Sequence, residues 1–108
     1  MSILQFSFYV PESHLELVKD AVFASGAGKI GQYSKCCWQT LGQGQFIPGD
    51  NSNPTIGYKM TLVKVDEFLV NIVCSKEDMP AILSAFFDSH PYEEPAYSIT
   101  PILTAKDF

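Results

Sequence analysis

Hydrophobic positions recur at two different periods along this chain, and the switches between them divide it into elements. Ile3 to Val10 alternates weakly and is rich in aromatic and β-branched residues, the pattern of a strand. Beyond Pro11 the period lengthens. Leu15, Val18 and Val22 fall on one helical face, with Leu17, Ala21 and Ala24 beside them. Glu12 and Glu16 place negative charge in the first turn, where the helix dipole favours it, and Gly26 supplies a stop. From Tyr33 to Ile47 the chain reads as extended, with Gly42 and Gly44 as bulge or bend points. The run PGDNSNPTIG is a long turn. Tyr58 to Ser75 holds two β-rich runs around Asp66-Glu67, a hairpin or one bent strand.

The strongest helical period follows. Met79, Ile82, Leu83, Phe86 and Phe87 recur at i, i+3, i+4, i+7 and i+8. Ser75 and Asp78 resemble a capping box, Pro80 is tolerated in the first turn, and Pro91 ends the helix. Pro95 to Leu103 is the last strand, and its prolines suit a sheet edge or a subunit boundary. The order β-α-β-β-α-β predicts an α+β sandwich of ferredoxin-like kind with an antiparallel sheet, in a single domain over residues 1–108.

Charge narrows the partners. The net charge is −5 and the seven basic residues are scattered, which argues against nucleic acid. No apolar run reaches the length of a membrane span. Cys36, Cys37 and Cys74 are odd in number and two are adjacent, so they form no disulfide framework, and no leader pattern opens the chain. The expected setting is cytoplasmic, with reduced thiols.

Two stretches invite chemistry. Gly26-Ala27-Gly28-Lys29-Ile30-Gly31 spells the dinucleotide fingerprint, but that motif needs a strand before it and a helix after it. Here the order is reversed, so the glycines read as a return from helix to strand. The second stretch is HPYEEPAY. Bracketed by Pro91 and Pro95, it reads as stiff and extended, with His90, Tyr92 and Glu94 on one face and Glu93 on the other. His90 and Glu94 are then two candidate ligands for a divalent metal, or an acid–base pair. The plainer alternative is that His90 caps the preceding helix as a cation while the glutamates are solvated or paired across a subunit contact. Cys36 is either a small strand cysteine or a soft-metal ligand that meets His90 or Glu94 across the fold. Tyr33, Trp38, Phe46, Tyr92 and Tyr97 read as core or subunit contacts.

Three stretches taken together carry a resemblance: VPESHLELVKDAVFASGAGKIGQYSKC, GQGQFIPGDNSNPTIG and HPYEEPAYSI. In this order and spacing, from about Phe6 to Leu103, the chain resembles the YqfO-type domain that is inserted into Nif3-like proteins. That domain is itself similar to CutA and, more distantly, to PII signalling proteins. CutA proteins carry a related His-Pro-Tyr-Glu-x-Pro run, matched here by His90 to Pro95. The chain departs from the family at Asn51-Ser52, where Gly-Ala is usual, and at Gln32, where Asn is usual. The Nif3-like core with its dinuclear metal site is absent from the sequence, so that core's hydrolase-like chemistry is not implied.

The resemblance implies a trimeric binding or regulatory module of CutA-like type. A divalent metal or small ligand would sit in subunit clefts lined by Cys36, Tyr92 and Glu93, with Gly28 and Gly31 near one wall and His90 and Glu94 on a metal. The alternatives are a protein-interaction domain without a small ligand and, third, an acid–base hydrolase using His90 and Glu93. No nucleophile–base–orienter set is visible, so no catalytic residue is assigned. The glycines of the hexad are expected close to the HPYEEPAY stretch or to a neighbouring subunit.

Overall fold

A computed structural model describes residues 2–108. Four strands, β1 (Ile3–Pro11), β2 (Trp38–Phe46), β3 (Val63–Ser75) and β4 (Tyr97–Pro101), form one antiparallel sheet in the order β2-β3-β1-β4. Two helices, α1 (Leu15–Ala24) and α2 (Met79–Ser89), pack side by side on one face. This is the ferredoxin-like α+β architecture that the hydrophobic pattern predicts.

Period-two alternation decides which face the helices cover. Phe6, Phe8 and Val10 of β1 and Val70, Ile72 and Cys74 of β3 point inward and are buried. They meet Leu15, Val18 and Val22 of α1 and Met79, Ile82 and Phe86 of α2. Phe86 is the hub. Its ring lies 5.1 Å from both Phe6 and Phe8, 5.6 Å from Tyr97 and 5.2 Å from the His90 imidazole.

Three local expectations change. The hairpin alternative around Asp66-Glu67 gives way to a single 13-residue strand. Asp66 pairs with Gln43, and Glu67 pairs with Gly42 on one side and Pro11 on the other, so the polar pair lies inside a ladder. Gly42 and Gly44 are in regular register, not bulged. The Ser75 hydroxyl donates to Asp78 Oδ2 at 2.9 Å and makes no cap to the helix; a 3-10 turn, Lys76–Asp78, leads into α2.

The β2–β3 ladder outruns the rest of the sheet. β1 pairs with β3 only as far as Glu67, and Val63 to Asp66 have β2 alone as a neighbour. The result is a projecting arm on a molecule 48 × 24 × 22 Å across.

Truncating the hub, Phe86→Ala, is expected to cost about 3–5 kcal/mol of stability, the range for an aromatic core side chain. Leu17→Ala, on the exposed face of α1, is expected to cost at most about 0.5 kcal/mol. Urea unfolding of the two variants, followed by far-ultraviolet circular dichroism, checks the contrast.

Candidate functional site

The site grows from the end of α2. The helix stops at Ser89, before Pro91, and His90 leaves it with extended backbone, φ −74° and ψ 136°. Its side chain is 7% exposed, between the rings of Phe86 and Tyr92. Nε2 lies 2.7 Å from the Tyr9 carbonyl oxygen. A carbonyl can only accept, so Nε2 carries the proton, and Nδ1 accepts the Tyr92 backbone N–H at 3.1 Å. Burial is the main reason this imidazole resists protonation and titrates below its ordinary value. The Tyr9 bond opposes the shift, and the nearby His14 adds to it. His90 is therefore a neutral clamp between α2 and β1, not a cationic helix cap. Within one protomer neither ring nitrogen has a lone pair left for a metal.

The residues after His90 do not form the extended stretch that the prolines suggest. Pro91 to Ala96 bends, and the ladder with β1 takes up only from Tyr97. Long-range bonds decide this. The Glu93 carboxylate accepts the Asn53 backbone N–H at 2.7 Å, and the Pro91 carbonyl accepts the Thr55 hydroxyl at 2.7 Å. These two bonds strap the β2–β3 connection onto the bend. Tyr92, Glu93 and Glu94 consequently line one cleft together, where alternation put the two glutamates on opposite faces.

That cleft encloses about 350 Å³. Phe46, Pro48, Pro54 and Ile56 give it apolar walls, and Glu67 reaches it from β3. In the sequence Glu67 is only half of a polar pair within a β-rich run. The signal it left is Gly44, which faces the outer side of the arm beside it: a methyl group there would overlap the Glu67 carboxylate. Glycine serves here by leaving space. Burial pushes the Glu67 carboxyl above its ordinary value, and the neighbouring Tyr92 hydroxyl draws it partly back. Burial, then the Glu67 charge, raises the Tyr92 hydroxyl in turn. The two groups are close enough to feel one another, yet the buried Tyr92 Oη makes no hydrogen bond of ordinary geometry.

Cys36 lies elsewhere. Its N–H donates to the Gly28 carbonyl at 2.8 Å, and the Gly28 N–H donates to Val73 near the far end of β3. Val73 and Glu67 are six residues apart on one strand, about 20 Å at the usual rise. Within one protomer Cys36 therefore does not join the His90–Glu94 cluster. Gly28, at φ +79°, packs against Cys36, where an added Cβ would come within 2.8 Å of the Cys36 carbonyl oxygen. The hexad thus abuts its own following loop and not the HPYEEPAY stretch. Gly31 has open space around its Cα. Tyr33 and Trp38, expected in the core or a contact, are exposed in the single chain. Cys74 is a core thiol, pushed up to about 11 by burial and by the Asp78 charge.

No known family model matches the chain. It is 43% identical over 98 residues to a GTP cyclohydrolase 1 type 2 homolog of Mycobacterium leprae, across 91% of this chain and 26% of that protein. It spans about a quarter of the length of the curated relatives it matches. A Bacillus cereus protein related to NIF3 superposes with a TM-score of 0.83 at 29% identity, over 95% of this chain and 26% of that one. The periplasmic divalent cation tolerance protein CutA of Archaeoglobus fulgidus superposes with a TM-score of 0.68, over 95% of this chain and 86% of its own. At 12% identity the CutA likeness is one of fold. No helix among the described residues is long and apolar enough to cross a membrane.

The His90 clamp predicts a definite pH dependence. The folded state lowers this pKa, so the unfolded chain takes up the proton first as pH falls below the ordinary value of 6.5. The contribution is fully present above that pH and is lost as pH falls towards the lower, folded value. Melting temperatures from pH 7.5 to 5 are expected to fall more steeply for the wild type than for His90→Ala. That variant is expected to lose about 1–3 kcal/mol at pH 7.5.

Proposed function

We propose, from the premise that this chain is the counterpart of a CutA-like domain carried within Nif3-related proteins, that it is a homo-oligomeric binding module of regulatory type. It holds a small ligand in the cleft between the β2–β3 connection and the Tyr92–Ala96 bend. The cleft carries this reading: it has the volume of a small-molecule site, apolar walls and a few convergent polar groups. Tyr92 and Glu93 belong to it directly. Glu94 stands with them, whereas His90 supports the bend from behind and is assigned no metal. Cys36, Gly28 and Gly31 contribute only if a second copy brings them to the cleft. We assign the chain no catalytic step.

The oligomer follows from the sheet. Both helices cover one face, and among the described residues no element covers the other. That open face mixes Gln5, Ser7 and Asn71 with Tyr9, Trp38 and Leu69, and Trp38 is 63% exposed. An antiparallel sheet tolerates water on one face when that face is polar, and this one is partly apolar. Copies of the chain packing these faces together would bury it, and a trimer is the assembly that the family resemblance implies. The same exposed residues favour the second reading, a docking surface for another protein without a small ligand.

Light scattering on the eluting protein is expected to give three times the 12.0 kDa protomer mass, and Trp38→Glu is expected to shift it towards the monomer. Thermal-shift screening against a small-molecule panel is expected to yield compounds that stabilise the wild type but not Phe46→Ala. A monomer that no compound stabilises would overturn the proposal. A trimer without such compounds would favour the protein-docking reading.

A further inference from the structure

We infer that the ligand of this cleft is a small organic cation, a primary ammonium group on an apolar stem, held by Glu67. The inference rests on the cleft reading above and goes on to name the chemistry of its occupant.

The lining sets the sign of the charge. Glu67, Glu93 and Glu94 face the cleft, and among the described residues no lysine, arginine or histidine lines it. The ion pair among the described residues is Lys19 with Glu16, on α1. A phosphate or carboxylate would therefore enter a like-charged cavity with no cation to meet it, in a protein of net charge −5.

The three carboxylates differ in what they have left to give. Glu93 is committed to the Asn53 N–H through Oε2 and holds the strap in place. Glu94 is exposed. Glu67 is partly desolvated, lies in the gap that Gly44 leaves, and has beside it a buried Tyr92 hydroxyl without a partner. A desolvated carboxylate gains most from a partner that both carries positive charge and donates hydrogen bonds, as an ammonium does. Tyr92 is the positioning residue. Its hydroxyl is the donor that can hold one Glu67 oxygen while the other meets the ligand.

Size and walls exclude a bare metal ion. Among the described residues no three His, Cys, Asp or Glu side chains converge as a metal-binding group. A hard divalent cation needs several oxygen ligands around it at once. The cleft offers one carboxylate with free capacity and a stem-sized apolar space instead, where the Phe46 ring, 6.4 Å from that of Tyr92, can cover an aliphatic or aromatic chain.

The test titrates the full chain at pH 7.5 with phenethylamine, the uncharged 2-phenylethanol and the anionic 3-phenylpropanoate, followed by amide chemical shifts. Zinc chloride is titrated in parallel. Phenethylamine is expected to shift the amides of Phe46, Thr55, Glu67 and Glu93, and to bind at least about tenfold more tightly than 2-phenylethanol, the worth of one charge-assisted hydrogen bond. Glu67→Gln, close in shape, is expected to bring amine and alcohol within about twofold, with the rest of the spectrum unchanged. Tyr92→Phe is expected to weaken the amine alone. If the alcohol or the propanoate binds the cleft as well as the amine does, the cation inference is overturned and the cleft reading stands. Zinc binding that depends on Glu67, without amine binding, has the same consequence. If no probe shifts the cleft amides of the folded protein, both fall.

Discussion

Nine consecutive antiparallel pairs join β1 to β3, from Ile3 with Ser75 to Pro11 with Glu67, and the rest of the molecule is arranged around that ladder. The register puts Phe6, Phe8 and Val10 on the same side as Val70, Ile72 and Cys74. A slip of one residue would turn the three on one strand outward while the three on the other stayed inward. With the register set, both helices must lie on the apolar side, and Phe86 closes the cluster from α2. The open opposite face is the other half of the same constraint. Two helices suffice to cover one side of four strands, and among the described residues no element lies over the second.

The same ladder explains where the cleft lies. β1 ends at Pro11, opposite Glu67, while β3 has four residues on the arm side of that pair. Glu67 thus stands at the junction between the sheet and the arm that runs beyond β1. The chain returns to this junction from the far end of α2, where the neutral His90 ring fastens the turn to the Tyr9 carbonyl. Two hydrogen bonds from the β2–β3 connection then close the space between arm and bend. The cleft is accordingly a by-product of unequal strand lengths, given its chemistry by Glu67, Tyr92 and Phe46.

The similar structures fit this division between frame and site. The fold persists in a CutA protein at 12% identity, because alternation in the strands and a one-sided stripe on each helix are enough to specify it. The NIF3-related protein, at 29% identity, holds the same fold within a chain roughly four times as long. Shared architecture at such distances says where a site can be built. Its occupant depends on individual side chains such as Glu67 and Gly44.

Local information was enough for the elements. The helical periods of Leu15-Val18-Val22 and Met79-Ile82-Phe86, the stops at Gly26 and Pro91 and the β-α-β-β-α-β order are properties of neighbouring residues, and each reappears in the structure. The HPYEEP run also declared itself, since its composition alone is unusual. Tertiary structure decided what that run does. Asn53 and Glu93 are 40 residues apart, and Tyr9 and His90 are 81 apart, and those contacts bend a segment whose prolines by themselves favour extension. Glu67 was illegible for the same reason: its importance lies in the glycine across the ladder and the tyrosine beyond it. Cys36 and His90 read as partners along the chain, but Cys36 is tied through Gly28 to Val73, whereas His90 is tied to Tyr9, which pairs with Leu69 in the middle of β3. Periodicity is written between neighbours, so the sequence by itself determined the helices, the strands and their order. Register, strand length and the convergence of distant side chains exist only once the chain has closed on itself, and these decided the site.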